Sequence, residues 1–345
     1  MILGRRLRAR WNAVLAGAGV AAALVTPGAG QSVRAAPPQA DPTALQGVTV
    51  EPPLSREGKF ARALNFIQSH GAPARIGQLA RWKDRVCPLT LGLTPALNAF
   101  VSARVRLLAT RVGAPVQRAG RCRPNIEILF VGRPQVLMDA VARERGALLG
   151  FHYAAETRRL ATVTRPVEAR YLTSTRGGGG NTAVDVAAGE PITGAPATIT
   201  GPVSLADAGT MPGGCAGSRL TNCLSSLFAN VLIVVNAPAM EGREIGPIAD
   251  YIAMLALSQA TSLDSCDALP SILDVLAGAC LGRSAPLTWT DSDVAYLKAL
   301  YKVDLTTVIG LERANIASQM LGAEAAPRPM PADRTPTPAP ASNPR

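Results

Sequence analysis

Asn230-Val231-Leu232-Ile233-Val234-Val235 and, after nine intervening residues, Ile245-Gly246-Pro247-Ile248-Ala249-Asp250-Tyr251-Ile252-Ala253-Met254-Leu255-Ala256-Leu257-Ser258-Gln259 are the stretches on which the fold of this chain turns. The first run consists almost wholly of branched aliphatics, the pattern of a strand buried on both faces. The second predicts a helix over 245–259 that is apolar nearly all round, and such a helix belongs inside a core rather than on a surface. A buried strand followed by a buried helix calls for a domain in which helices and strands share one core.

Working backwards, the pattern supplies further elements for the sheet. Phe60, Leu64 and Ile67 recur at helical spacing over 57–69, with Gly71 as a stop. A short strand is expected over 86–93, then a helix over 94–111 with Thr94 as N-cap and Pro95 in its first turn. Residues 125–131 read as a strand, 134–149 as a helix and 162–173 as an alternating strand. Between 176 and 218 the chain turns to Gly, Pro, Thr and Ala, including four consecutive glycines at 177–180, which predicts an irregular insertion. No Gly-Lys-Ser/Thr phosphate loop is present there. Forwards from the buried helix come a turn at Pro270-Ser271-Ile272-Leu273 and a helix over 291–301, capped by Thr290 and favoured by Asp291 and Asp293 against its N-terminal dipole.

The two ends read differently. Arg5, Arg6, Arg8 and Arg10 precede an apolar run from Trp11 to Val25, and small residues follow at Gly28, Ala29 and Gly30. The run is short for a permanent membrane span, and the combination is that of a cleavable export signal over 1–30, with an uncleaved membrane anchor as the alternative. Residues 31–55 form a Pro/Ala-rich linker and 323–345 a Pro-rich tail, both expected to be disordered, leaving one domain over 56–322. The expected location is periplasmic or secreted, with no stable transmembrane anchor.

Six cysteines agree with export: Cys87, Cys122, Cys215, Cys223, Cys266 and Cys280. Sequential pairing, 87–122, 215–223 and 266–280, is the choice among the fifteen connectivities. A zinc site is the alternative, but the C-x₂₋₄-C knuckles of structural zinc are absent.

The net charge of +11 falls to +7 without the four arginines of residues 1–30, which contain no acid. Four lysines stand against thirty-one arginines, which are scattered, and aromatics make up only 4%. Nucleic-acid binding would want basic residues clustered with aromatics between them, so no nucleic-acid partner is expected. The chain holds two histidines, His70 and His152, too few for a three-histidine metal site, and each is read as a surface or packing residue. Gly-x-Ser-x-Gly and Ser-x-x-Lys are both absent. The carboxylate pairs Asp264/Asp267 and Asp291/Asp293 read as loop and cap residues rather than as acid/base machinery.

Three segments resemble the second half of a zincin, particularly of the metzincin type. The helix from Gly246 to Leu257 stands where such proteins carry His-Glu-x-x-His. Pro270-Ser271-Ile272-Leu273-Asp274 is similar to the Ser-Ile-Met turn beneath the metal, with Leu273 at the Met position. The stretch from Leu287 to Tyr301 is similar to the closing helix, a feature shared with the exported bacterial DUF2927 family of unknown function. The resemblance places Asp250 at the first ligand, Tyr251 at the general base, Met254 at the second ligand and Ala260 at the third. Tyr251 is no carboxylate base, and Met and Ala do not replace nitrogen ligands. The resemblance implies an α+β fold, a mixed β-sheet packed against a central buried helix, in a catalytically inactive zincin-like scaffold with no cofactor and a vestigial groove at Asp250, Tyr251 and Met254. Its partner would be another protein or an envelope component. The alternatives are a hydrolase of another class using groove carboxylates, and a purely structural envelope protein.

Overall fold

The computed structural model of the protein describes residues 54–117, 122–178, 180, 182–186, 223–260, 266–277, 280 and 283–324. The expected export signal, nearly all of the linker, Asp264, Cys215 and the tail from 325 lie outside the described residues, as does most of the 176–218 insertion.

The architecture is α+β, with a five-stranded mixed sheet between helices. Strand β1 (Pro88–Leu91), β2 (Ile126–Val131), β3 (Val167–Arg176), β4 (Thr182–Val184) and β5 (Ser225–Asn236) lie in the order β1-β2-β5-β3-β4. β1, β2 and β5 run parallel, while β3 is antiparallel to both β5 and β4. Parallel neighbours need a crossover, and helix α2 (Pro95–Val112) supplies the one between β1 and β2. Its N-terminus is set by Thr94, whose hydroxyl accepts from the Leu97 amide at 3.4 Å, and its end by Gly113 in the left-handed region.

The branched run at 230–235 is the heart of the sheet. β5 extends it back to Ser225, and its side chains are buried up to Val235. Val231, Ile233 and Val235 join the larger core with α1 (Arg56–His70), α2, α5 (Ile245–Leu257), α6 (Asp291–Lys302) and α7 (Ile309–Glu324). Leu232 and Val234 point to a smaller core under α3 (Pro134–Glu144), the 3₁₀ turn Gly146–Leu149 and the short helix α4 (Thr157–Ala161). A strand covered on both faces has no use for alternation, and this explains its uninterrupted apolar sequence.

Three expectations are corrected. The region beginning at 176 is not irregular throughout: β3 runs through Arg176, and β4 returns at 182–184, burying Ala183, Val184, Asp185 and Val186. The helix predicted over 134–149 stops at Glu144, and residues 146–149 tighten into a 3₁₀ turn. Helix α7 runs through residue 324, past the expected start of the tail at 323.

Helix α5 is enclosed, with Pro247 to Leu257 all buried. Such a helix leaves its last carbonyls without water, and four side chains supply the missing donors. Ser258 Oγ donates to Met254 O (3.1 Å), Tyr171 Oη to Leu255 O (3.0 Å), Trp82 Nε1 to Ala256 O (2.8 Å) and Tyr301 Oη to Leu257 O (3.0 Å). Burial pushes the Tyr171 and Tyr301 phenols up, so both remain donors through the physiological range. Arg81 and Glu312 form a second internal clasp: the guanidinium pairs with the carboxylate and donates to Leu300 O and Val303 O, each at 2.6 Å, tying α7 to the end of α6.

Candidate functional site

Asp250, Tyr251 and Met254 lie on α5, and none is open to solvent: they are 0%, 1% and 0% exposed. Asp250 and Met254, four residues apart, share one side of the helix. Around Asp250 the protein has built a closed polar knot. Arg104 on α2 grips the carboxylate with two parallel N–H donors, Nε to Oδ1 at 2.5 Å and a terminal nitrogen to Oδ2. Thr288 donates its hydroxyl to Oδ2 at 2.7 Å, and Trp289 Nε1 donates to the Asp250 carbonyl at 3.1 Å. The Trp289 ring lies 4.3 Å from the Arg104 guanidinium carbon, a stacking that lets the arginine seal the site while its side chain remains 25% exposed. Bidentate pairing of this kind occupies both carboxylate oxygens with fixed geometry.

Tyr251 is packed in the larger core near Tyr171, whose phenol is raised first by burial and next by this neighbour. Met254 lies in the same core. The turn that resembles the Ser-Ile-Met element forms a 3₁₀ segment, Ile272–Val275, with Ile272 and Leu273 packed into the core that also contains α5. Asp293 organises this turn from α6: it accepts from Ser271 Oγ (2.7 Å), the Ile272 amide (2.8 Å) and the Thr290 amide (2.8 Å). Burial pushes its carboxyl up, partly offset by these donors. Its role as a cap is therefore joined to a second one, pinning the turn against α6.

Neither histidine is a surface residue. His70 stacks on Phe66 with ring centroids 3.9 Å apart, its Nδ1 2.9 Å from Phe66 O, and Asp267 lies 3.4 Å from that nitrogen. His152 Nδ1 is 2.7 Å from Gly150 O and Nε2 is 3.2 Å from Thr157 Oγ1. The structure places neither ring among the hydrogen-bond partners of Asp250.

Cys87–Cys122 and Cys266–Cys280 are disulfides, and Cys223 is also disulfide-bonded, while its expected partner Cys215 lies outside the described residues. Among the described residues, Cys266, Asp274 and Cys280 bring three potential metal-ligand atoms within 4.8 Å of one another. The two sulfurs are bonded to each other, so neither is a thiolate and Asp274 holds the remaining ligand atom. Among the described residues no helix is long and apolar enough to cross a membrane. The disulfides and this absence are compatible with an extracellular or periplasmic location.

Arg104, Thr288 and Trp289 are the members of the knot that sequence reasoning missed. A signal for Arg104 existed: it falls within the buried stripe Val101, Val105, Leu108, Val112 of α2, where a cation requires a buried counter-charge. Asp250, the one acid within the apolar α5, is the complementary signal. No protein-family model, curated protein or solved structure matches the chain.

Proposed function

We propose that this chain is an exported zincin-like scaffold whose central helix carries no chemistry and which serves binding or envelope structure. The succession of β5, α5, the Ile272–Val275 turn and α6 supports the zincin-like reading, because it follows the order of elements in which the sequence resemblance lies. The observation that carries the loss of chemistry is the sealing of Asp250. A catalytic metal needs ligands facing an open position for water, and here both carboxylate oxygens accept from Arg104 and the side chain is 1% exposed. Placing a cation there would also mean placing it against the guanidinium.

The rival reading, a hydrolase working through carboxylates in the same groove, fares worse. A general acid or base must reach its substrate. Asp250 and Asp293 are both 0% exposed, and Asp293 is occupied by the turn and the helix cap. The decisive experiment is elemental analysis of the mature protein after incubation with zinc and gel filtration, together with digestion of a mixed peptide library. Far less than one zinc per chain and an uncut library are expected. Stoichiometric zinc, with cleavage that a chelator abolishes and Asp250→Ala removes, would overturn the proposal.

A further inference from the structure

A cleft of about 360 Å³ opens away from the Asp250 knot, between the Pro73–Arg75 segment, Gly150 and Phe151, strand β3 and the residues just beyond α5. That size is within the range of small-molecule sites. Two of its lining groups are chemically unfinished. The Arg75 guanidinium lies over the Phe151 ring, 4.5 Å from its centroid, with the side chain only 18% exposed. Its ion-pair partner among the described residues is Asp185 at 3.9 Å, beyond hydrogen-bond reach, and the Asp185 oxygens are already taken by Thr173 Oγ1 (2.7 Å) and Thr175 Oγ1 (2.8 Å). A guanidinium offers five N–H donors, and among the described residues those of Arg75 make no hydrogen bond. The second group is Gln259, whose Oε1 is buried and has no hydrogen-bond partner. An acceptor removed from water and left unpaired is costly, and because Gln259 lines the cleft, a turn of its amide about the last side-chain torsion would offer that oxygen to a ligand donor and recover the cost.

The other cation on the cleft wall is already committed. Arg170 donates from Nε to Leu160 O (2.8 Å) and from one terminal nitrogen to Glu168 (3.0 Å) and Ala169 O (2.9 Å). Arg75 is thus the pre-oriented anion receptor, held flat by an aromatic face, and Gln259 adds an acceptor in the same cleft. From this geometry we infer that the cleft binds a small carboxylate that also carries an N–H donor, its carboxylate on Arg75 and its N–H on the Gln259 amide. That chemistry belongs both to free amino acids and to the carboxyl end of a peptide. The site is separate from the α5 knot, and its occupancy is independent of whether the chain is a zincin-like scaffold.

Isothermal titration of the oxidised mature protein with N-acetylalanine tests the assignment. Saturable one-to-one binding is expected, weakened at least tenfold by Arg75→Gln and at least tenfold for the methyl ester, which lacks the carboxylate. Acetate has the charge without the N–H and should bind at least tenfold more weakly. Gln259→Leu should weaken N-acetylalanine selectively and bring it close to acetate, a comparison that remains available if Arg75→Gln fails to fold. Free alanine and N-acetyl-alanyl-alanine separate the two sources: tighter binding of either supports the site and identifies which chemistry it takes. Absence of saturable binding for all three N–H carboxylates up to about 10 mM, the affinity arithmetic of a vanishing interaction, would overturn the inference. So would binding that a folded Arg75→Gln protein retains in full.

Discussion

Replacing Arg104 by Ala strips a buried carboxylate of its counter-charge, and its cost can be worked from the geometry. Asp250 would retain the Thr288 hydroxyl at 2.7 Å but lose both guanidinium donors, in a position with no solvent exposure. Removing one partner of a buried pair costs about 3–5 kcal/mol. Arg104 is 25% exposed, so water can enter part of the space it vacates and the low end applies, about 3 kcal/mol. Loss of the stacking on Trp289 adds about 0.5–1 kcal/mol. With a urea m-value of about 3 kcal/mol/M, the unfolding midpoint should fall by roughly 1 M. Tryptophan fluorescence is a suitable probe because Trp289 lies in the knot and Trp82 bonds the end of α5. The pair Arg104→Met with Asp250→Leu should recover most of the loss, since two apolar groups leave no orphaned charge. A loss below about 1 kcal/mol for Arg104→Ala, or a double variant as damaged as the single one, would refute the claim that this contact is a sealed internal pair.

Two glycines with positive φ should respond differently to alanine. At Gly113 an added Cβ meets nothing within 4 Å, so only the left-handed backbone penalty of about 1–2 kcal/mol applies, whereas at Gly92 it would sit 1.9 Å from Phe130 O and the loss should exceed about 3 kcal/mol; equal melting temperatures for the two variants would contradict this. Replacing both cysteines of a pair by serine should cost about 4 kcal/mol for Cys87–Cys122 and about 3 kcal/mol for Cys266–Cys280, because the first closes the longer loop, 35 against 14 residues apart; calorimetry showing the reverse order would count against loop entropy as the cause. Burial pushes the Asp185 carboxyl up, partly offset by Thr173, Thr175 and Arg75. Its contribution to stability is therefore complete below the unfolded value of about 3.9 and is lost as pH rises through the higher folded value. Asp185→Asn should accordingly gain on the native protein as pH climbs from about 4, and a pH-independent gap between their urea midpoints would exclude it.

Much of the scaffold was legible because it rests on local rules. Thr94-Pro95 started α2 where a cap and a first-turn proline dictate, and Thr290 with Asp293 did the same for α6. The branched run at 230–235 became the central strand because only a position covered on both faces tolerates it. Strand β4 was hidden because a three-residue edge strand in a Gly-rich setting has no periodicity to read, and its pairing with β3 is a tertiary event.

The sequence by itself determined that α5 is buried, that it bears a lone acid, and that Tyr251 and Met254 share the helix with that acid. The tertiary structure alone decided what became of the acid. Arg104 is 146 residues away in the chain and Thr288 is 38, and no local pattern brings them to one carboxylate. Long-range packing of α2 and the segment before α6 onto α5 does so, and it must, because a charge buried in that core persists only with its partner. The same reason hid the Arg75 cleft, whose walls come from five separate segments and acquire meaning only when their unpaired groups are seen together.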